Sequence, residues 1–549
     1  MMTRTTGRSA FLSLLKDEGV THLFGNPGTT ELPVMHALND HPEITYVMAM
    51  QESLVVAMAD GFSRASGQLV ACNVHVAPGL GNAMGSLYNA KFTGTPMILT
   101  AGQQEQGHGL MEPLLYGPLV QMAEPLVKWA VEVTRLEDLP LIVHRAAKIA
   151  TTPPTGPVFI SLPGDILNAE ADIELGRPTR IDARVAPSNE GLNALTERIL
   201  SAQRPAMIVG DEIVKSNALI EAAQLGSPVY QQTIAYGAHF VSDHPCFMGA
   251  LPRDQQQTSR ILGAYDLLIV LGSDPVRMSV YSAQNPLPHG IPIIQIGLVD
   301  NDLAKNFPAE IALKADVRET LSVLVPAIAT IGGAALEKLA RTRMEQLKSN
   351  NWSANRARLA REISRKENAI PIDPDWVAMQ VVDALPAEAI LIDEGLTSSR
   401  HMSALKGHRD RYGYHQMASG GIGWGLPASV GASLANPNRP VVCYVGDGSA
   451  MYSIQSLWTA AHHNLPLTVV LLNNGGYRII KQRLQAFHGT NHFIGMDFQE
   501  PSVDFTAMAR ALGLRATRVT EGARFREVVS SATERRGPEF IEVVVDGAL

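Results

Sequence analysis

Two short polar segments in the last third of the chain combine residue types that could bind a divalent cation. Asp447 follows the apolar run 441–445 in a Gly-Asp-Gly-Ser segment, and Asn474 follows the apolar run 467–472 in an Asn-Asn-Gly-Gly segment. The two runs read as parallel strands joined by a helix, which places both segments at one edge of a sheet. The carboxylate of Asp447, the amide oxygen of Asn474 and the backbone carbonyl of Gly476 would then hold Mg²⁺ (or Ca²⁺) together with a diphosphate.

Glycines beside Asp447 favour this interpretation. Gly446 and Gly448 would let the backbone approach a ligand closely, and the N–H groups of Gly448 and Ser449 would face a phosphate at the start of the helix, which is predicted over 453–463. The alternative is a pair of ordinary strand-end turns. Gly-Asp-Gly-Ser, a helix, a strand and Asn-Asn-Gly at this separation favour a metal–diphosphate site over that alternative.

A second group of polar residues follows three apolar runs near the start of the chain. Glu52 follows a predicted strand over 44–50, and His75 follows one that begins at Leu69. Because Glu52 lies between that strand and an apolar helix, its carboxyl should be partly desolvated and able to exchange a proton near neutrality, although a capping role is the alternative. His75 could orient a carboxylate or transfer a proton, and a structural histidine is the alternative.

The alternation of apolar strands and amphipathic helices predicts an α/β protein with three doubly wound parallel-sheet domains. We expect a first domain over 1–175, a Rossmann-like middle domain over 188–331, a helical linker over 332–369 and a third domain over 370–549. None of the glycines in the middle domain forms a dinucleotide-binding fingerprint, so a structural role is expected for it.

Composition limits the class of protein. The chain has 549 residues, of which 46% are hydrophobic and 18% charged, and its net charge of −8 without basic blocks argues against nucleic acid as a partner. Its apolar runs are of strand length, so no membrane span is expected, and 1–8 lacks the apolar core of a secretory signal. The three cysteines are expected to be reduced thiols, which favours a cytoplasmic location.

Several motifs together resemble a known family. The Gly-Asp-Gly-Ser and Asn-Asn-Gly pair resembles the thiamine diphosphate (ThDP) motif of the pyruvate decarboxylase and acetohydroxyacid synthase superfamily. Six further segments resemble the benzoylformate decarboxylase family within it: Gly25-Asn26-Pro27-Gly28, Met50-Gln51-Glu52, 75–85, Ala101-Gly102-Gln103-Gln104, 125–129 and Gly420-Gly421-Ile422-Gly423. This resemblance extends over essentially the whole chain and implies the ThDP-binding fold.

The resemblance assigns cofactor roles. In the family the glutamate matched by Glu52 bonds the pyrimidine of ThDP, and the residue matched by Ile422 supports the bent conformation of the cofactor. The carbonyl of Gly420 would accept a hydrogen bond from the pyrimidine amine. The remaining implied contacts are to the diphosphate, from Thr397, Ser449 and Tyr477. In the family the first domain of one subunit faces the third domain of another, which implies a homodimer or homotetramer with sites at subunit interfaces.

The substrate side departs from the family pattern. Thr29 replaces a serine and keeps a hydroxyl for the substrate carboxylate, whereas Ser279 replaces a second histidine and cannot transfer protons near neutral pH. Gln416 and Arg483 align with aromatic walls and disfavour a bare phenyl ring, with a surface position for Arg483 as the alternative. The other candidate pocket residues are Asn26, Pro27, Gly28, Leu114, Leu115 and Ile480.

These observations predict a lyase: a ThDP- and Mg²⁺-dependent enzyme that decarboxylates a small 2-oxo acid without oxidation, releasing an aldehyde and CO₂. The substrate would be a 2-oxo acid other than benzoylformate, with a polar or anionic tail. Carboligation of the acetohydroxyacid synthase type is the alternative. A non-catalytic protein of the same fold is disfavoured, because Glu52, Asp447 and Asn474 are all present.

Overall fold

The computed structural model describes residues 2–535 and 537–549. Met1 and Arg536, which fall within the predicted first and third domains, lie outside the described residues. Three six-stranded sheets account for most of the strands, and every neighbouring pair of strands in them is parallel. The predicted fold class of three parallel-sheet α/β domains is therefore confirmed.

The first sheet has the order β3-β2-β4-β5-β7-β6, and a separate antiparallel pair joins β1 to β8. Its strands are β1 (Thr3–Thr6), β2 (His22–Gly25), β3 (Thr45–Met48), β4 (Val70–Val74), β5 (Met97–Gln103), β6 (Ala130–Glu132), β7 (Val158–Pro163) and β8 (Glu170–Ile173). Its helices are α1 (Gly7–Asp17), α2 (Leu32–Ala37), α3 (Glu52–Ser66), α4 (Val76–Thr93), α5 (Leu119–Ala123), α6 (Leu139–Thr151) and α7 (Gly164–Asn168).

The second sheet has the order β11-β10-β9-β12-β13-β14. Its strands are β9 (Pro205–Val209), β10 (Val229–Gln231), β11 (Phe247–Ala250), β12 (Leu267–Leu271), β13 (Ile293–Gly297) and β14 (Ile311–Lys314). The helices of this part of the chain are α8 (Asn189–Ser201), α9 (Asp211–Lys215), α10 (Leu219–Ala223), α11 (Gln255–Leu262), α12 (Val317–Leu347) and α13 (Trp352–Ser364).

The third sheet has the order β16-β15-β17-β18-β20-β19. Its strands are β15 (Ile390–Glu394), β16 (Tyr414–Gln416), β17 (Val441–Gly446), β18 (Leu467–Asn473), β19 (Arg515–Val519) and β20 (Glu539–Val544). Its helices are α14 (Pro374–Ala384), α15 (Met402–Leu405), α16 (Gly425–Ala435), α17 (Asp447–Ala450), α18 (Ser456–His462), α19 (Arg478–His488), α20 (Phe505–Ala511) and α21 (Gly522–Glu534).

The central strands are apolar throughout because both faces of each sheet are covered. In β12, Leu267, Ile269 and Leu271 pack into one apolar cluster, whereas Leu268 and Val270 pack into another. Strands β7 and β17 divide their side chains between two clusters in the same way. Successive side chains of a strand point to opposite faces, so each run supplies two cores.

The first and third domains share one apolar core. It includes Leu54 and Met58 of α3 and Leu426 and Val430 of α16. Where these helices cross, an added Cβ at Gly61 would lie 2.1 Å from the carbonyl oxygen of Ala428. The contact therefore depends on close approach of the two backbones, and it fixes the first domain against the third within one chain.

Helix α12 differs from the predicted linker, because it begins at Val317 and so crosses the expected boundary at 331. Gly333 has non-helical torsion angles and kinks it. The stretch Val317–Ser364 contains a window of mean hydropathy 1.5 that could cross a membrane by length and composition alone, which is weak evidence for a span. Leu321, Leu324 and Ile328 of this stretch pack into the core of the second domain.

Candidate active site

The side chain of Asp447 joins the two polar segments of the third domain. Its Oδ2 atom accepts hydrogen bonds from the backbone N–H groups of Asn474 (3.1 Å), Gly475 (2.8 Å) and Gly476 (3.2 Å). Its Oδ1 atom accepts one from the N–H of Gly448 at 2.8 Å. Burial raises the pKa of Asp447 to about 6, although the four N–H donors act in the opposite direction. A bound cation would favour the charged carboxylate.

Asn474 supplies a buried acceptor that lacks a donor. Its side-chain Oδ1 atom has no hydrogen-bond partner among the described residues. Buried polar atoms are rarely left without a partner, and an amide oxygen beside a carboxylate suits a hard divalent cation. The carbonyl of Gly476 accepts from the N–H of Arg478 at 3.0 Å and keeps a second lone pair. The side chains of Asp447 and Asn474 and the carbonyl of Gly476 therefore fit such a cation.

The part of the chain that the structure describes contains no cluster of three or more His, Cys, Asp or Glu side chains suited to a metal. A cation at Asp447 would therefore depend on a mixed set of carboxylate, amide and carbonyl oxygens. Such a set needs further oxygen ligands, and the oxygens of a diphosphate would provide them.

The segment after β17 differs from the predicted helix start. Asp447–Ala450 forms only one turn, and the next helix, α18, begins at Ser456. The N–H of Gly448 is donated to Oδ1 of Asp447 in this structure, and its role as a phosphate donor stays a prediction. An added Cβ at Gly448 would lie 2.8 Å from the ring of Tyr477, which explains a glycine at this position. Ser449 is buried, and Thr397 lies in a 3₁₀ turn after β15.

Glu394 is a candidate site residue that was not predicted from the sequence. Its buried carboxyl ends β15 and accepts hydrogen bonds from the N–H groups of Gly423 (2.6 Å) and Gly425. It therefore fixes the loop that carries Gly420 and Ile422. Burial raises the pKa of Glu394 to about 7. Its position at the carboxyl end of a strand adjacent to β17 is the signal that could have identified it.

The polar residues of the first domain also meet at one sheet edge. His75 precedes α4, and its Nδ1 atom lies 2.7 Å from Oε2 of Glu31 and 3.1 Å from the hydroxyl of Thr30. An added Cβ at Gly28 would lie 2.2 Å from the same ring, so only glycine fits there. The candidate residue Thr29 is exposed, and the threonine that contacts His75 is its neighbour Thr30.

Glu52 is the first residue of α3 and is 8% exposed. Its Oε2 atom accepts a hydrogen bond from the side-chain amide of Asn82 at 3.0 Å. An added Cβ at Gly79 would lie 3.1 Å from Glu52 Oε1 and 3.3 Å from the Cβ of His75. Glu52 and His75 therefore both approach Gly79 in the first turn of α4. Asn82 and Glu31 were not identified from the sequence as partners of these residues.

The two groups of polar residues do not meet within one chain. The side-chain hydrogen bonds of Glu52 and His75 stay within the first domain, and those of Asp447 stay within the third. Among residues 2–535 and 537–549, no hydrogen bond or ion pair joins one group to the other.

A cavity of about 880 Å³ lies between the second and third domains. It brings together three residues of the predicted site, Thr397, Gln416 and Arg483. Ser279 lies on an exposed loop after β12 and does not line it. The remaining candidate pocket residues do not line this cavity. Leu114 and Ile480 are 85% and 47% exposed, and Leu115 has a φ of 73°. Asn26, Pro27 and Gly28 follow β2 in the first domain.

Three protein-family models of thiamine pyrophosphate (TPP) enzymes match the chain, and TPP is another name for ThDP. The N-terminal TPP-binding domain matches residues 5–114, the central domain matches 192–324, and the C-terminal TPP-binding domain matches 396–543.

Two curated relatives cover nearly the whole chain. Benzoylformate decarboxylase of Pseudomonas aeruginosa is 33% identical over 550 residues, which cover 98% of this chain and 98% of that protein. Acetolactate synthase isozyme 1 large subunit of Escherichia coli is 28% identical over 557 residues, which cover 99% of this chain and 94% of that protein.

A solved structure, the ThDP-dependent 4-hydroxybenzoylformate decarboxylase of Rhodococcus jostii RHA1, superposes with a TM-score of 0.88. It is 30% identical, and the match covers 99% of each chain. The domain matches, the full-length identity and the shared architecture agree. The chain therefore belongs to the ThDP-dependent enzyme superfamily that includes benzoylformate decarboxylases and acetolactate synthases.

Proposed function

We propose that this protein is a lyase that decarboxylates a 2-oxo acid to an aldehyde and CO₂, with ThDP and Mg²⁺ as cofactors. The observation that carries the proposal is the pairing of His75 with Glu31 beside Glu52 in the first domain. A fixed histidine next to a nearly buried carboxyl supplies the proton-transfer groups that this reaction needs. When bound, ThDP would supply the nucleophilic carbon and the electron sink for the departing CO₂.

Residues of this chain would bind the cation, support the cofactor and transfer protons. Asp447, Asn474 and the carbonyl of Gly476 would hold the cation, and Glu394 fixes the loop of Gly420 and Ile422 that would support the cofactor. Glu52 would hold a proton toward the pyrimidine. His75 presents Nε2, which makes no hydrogen bond among the described residues and which, when protonated, would bind the substrate carboxylate or donate a proton.

A second copy of the chain would complete the site. Within the described residues, no hydrogen bond or ion pair joins the polar group of the first domain to that of the third, and both groups consist of buried or half-buried polar residues. Large apolar residues are exposed beside both groups, including Met50 (43%) and Tyr452 (58%). We therefore infer a homodimer or homotetramer with sites at subunit interfaces, located in the cytoplasm because its three cysteines are buried free thiols.

Carboligation is the second candidate, since the acetolactate synthase subunit of Escherichia coli matches 99% of this chain. Product analysis separates the two functions. The protein is incubated with ThDP, Mg²⁺ and single 2-oxo acids, and CO₂, free aldehyde and 2-hydroxyketone are measured. Stoichiometric CO₂ and aldehyde support decarboxylation as proposed. A 2-hydroxyketone or acetohydroxy acid as the main product would replace it with carboligation, and no turnover of any 2-oxo acid would reject both.

A further inference from the structure

Among the described residues, two arginines that line the cavity between the second and third domains have no acidic partner. Three guanidinium groups line it, from Arg253, Arg400 and Arg483. Arg400 is paired with the buried carboxylate of Asp375, where Nε lies 3.1 Å from Oδ1. Within the described part of the chain, no carboxylate lies in ion-pair distance of Arg253 or Arg483. Two of the three cations therefore remain available to a ligand.

The carboxyl groups in the same wall are already engaged. Asp393 accepts hydrogen bonds from the hydroxyl of Tyr414 (2.8 Å), the side-chain amide of Gln416 (3.2 Å) and the N–H of Gly395 (3.0 Å). Glu394 accepts from two backbone N–H groups. Burial raises the pKa of both carboxyls, so neither would strongly repel an anion in the cavity.

The arginines stand on opposite walls. Arg253 follows β11 of the second domain, and Arg483 lies on α19 of the third. Thr397, the predicted diphosphate contact, lines the same cavity, so the space extends from the cofactor side toward both guanidinium groups. Part of the volume of about 880 Å³ would be occupied by the cofactor beside Thr397, and the rest leads to Arg253 and Arg483. The tail of the substrate would lie in this second part.

We propose that the substrate is a 2-oxo acid with a second carboxylate at the end of its tail, which Arg253 and Arg483 bind. This inference rests on the proposed decarboxylation and names its substrate class. A guanidinium binds a carboxylate through two parallel hydrogen bonds, which gives both affinity and orientation. Two such groups facing one cavity would hold the distal carboxylate while the 2-oxo end faces the cofactor.

The test compares substrates of equal chain length. The holoenzyme with ThDP and Mg²⁺ is given 2-oxoadipate, which ends in a carboxylate, and 2-oxohexanoate, which ends in a methyl group. We expect kcat/KM to be at least about tenfold higher for the diacid, and the preference to shrink as salt is added, because exposed charges are screened. An equal or higher kcat/KM for 2-oxohexanoate would overturn the inference but leave the decarboxylation in place.

Variants show which residues carry the preference. Arg253→Gln and Arg483→Gln should each lower the diacid-to-monoacid ratio at least about fivefold, whereas Arg483→Lys should retain part of it. Arg524→Gln, on α21 outside the cavity, removes the same charge from the same domain as Arg483 and should leave the ratio unchanged. An unchanged ratio in both cavity variants would overturn the assignment. Absence of CO₂ from both acids and from all other 2-oxo acids would instead reject the proposed function.

Discussion

His75 Nδ1 lies 2.7 Å from Glu31 Oε2, and this contact determines which nitrogen of the histidine can act on a substrate. The carboxyl of Glu31 also accepts hydrogen bonds from the N–H groups of Gly28 (3.0 Å) and Gly102 (2.9 Å). Both carboxyl oxygens of Glu31 therefore act as acceptors, and Nδ1 of His75 must donate its hydrogen to Oε2. With the proton on Nδ1, Nε2 is the atom that can accept a proton and, once protonated, donate it to the substrate.

The first prediction concerns Glu31→Gln. The amide NH₂ of glutamine would face Nδ1 and favour the opposite tautomer, while the amide oxygen could still accept from Gly102. We expect kcat for CO₂ release to fall by about ten- to a hundredfold, since general acid–base groups contribute on the order of a hundredfold or more. Steady-state kinetics over a range of pH measures the loss and any change in the profile.

Glu18→Gln is the matched control for this variant. Glu18 is buried in the same domain and pairs with His144 Nδ1, but it lies away from the candidate site. Both variants should lower the thermal midpoint to a similar extent, and only Glu31→Gln should lower kcat. Equal kinetic losses in the two variants would mean that Glu31 acts only on stability.

The second prediction concerns the crossing of α3 and α16. Gly61→Ala would place a methyl group 2.1 Å from the carbonyl oxygen of Ala428, and Gly431→Ala would place one 1.8 Å from the carbonyl oxygen of Met58. Because both obstacles are backbone atoms, the helices must separate, at a cost of about 1–3 kcal/mol or more. Gly81→Ala in α4, where no atom lies within 4 Å, is the control and should be neutral or stabilising. Calorimetry of the three variants tests this ranking.

The third prediction uses the pKa of Glu394, which burial raises from its ordinary value of 4.5 to about 7. Between these values the folded state binds more protons than the unfolded state, so the contribution of Glu394 to stability falls as pH rises through this range. The full loss corresponds to about 3 kcal/mol. The glutamine of Glu394→Gln is neutral at every pH. The thermal midpoint of this variant, relative to that of the unmodified protein, should therefore rise between pH 5 and pH 8.

Thermal unfolding without added ThDP at both pH values measures this gain. Glu534→Gln, at the exposed end of α21, is the control and should show no comparable gain. The prediction would be contradicted if the difference in thermal midpoint between Glu394→Gln and the unmodified protein were the same at both pH values.

The local parts of the site could be predicted because they follow strand ends. Apolar runs such as 441–445 are buried on both faces, and polar residues after them must lie at the sheet edge. The contacts between distant segments could not be predicted, since Glu31 and His75, or Glu394 and Gly423, meet only through the strand order. The helical linker was predicted to begin at 332, whereas α12 already begins at Val317 and continues through a kink at Gly333.

The fourth prediction concerns Glu52, the first residue of α3. If its carboxyl acts on the cofactor, Glu52→Ala should abolish turnover, while ThDP still binds through the third domain. If it only caps the helix, the loss should be limited to about 0.3–1 kcal/mol of stability. Glu190→Ala, which removes an exposed acid from the first turn of α8, reports the size of such a capping effect. ThDP binding is followed by fluorescence quenching and turnover by CO₂ release, and retained turnover in Glu52→Ala would remove Glu52 from its proposed role.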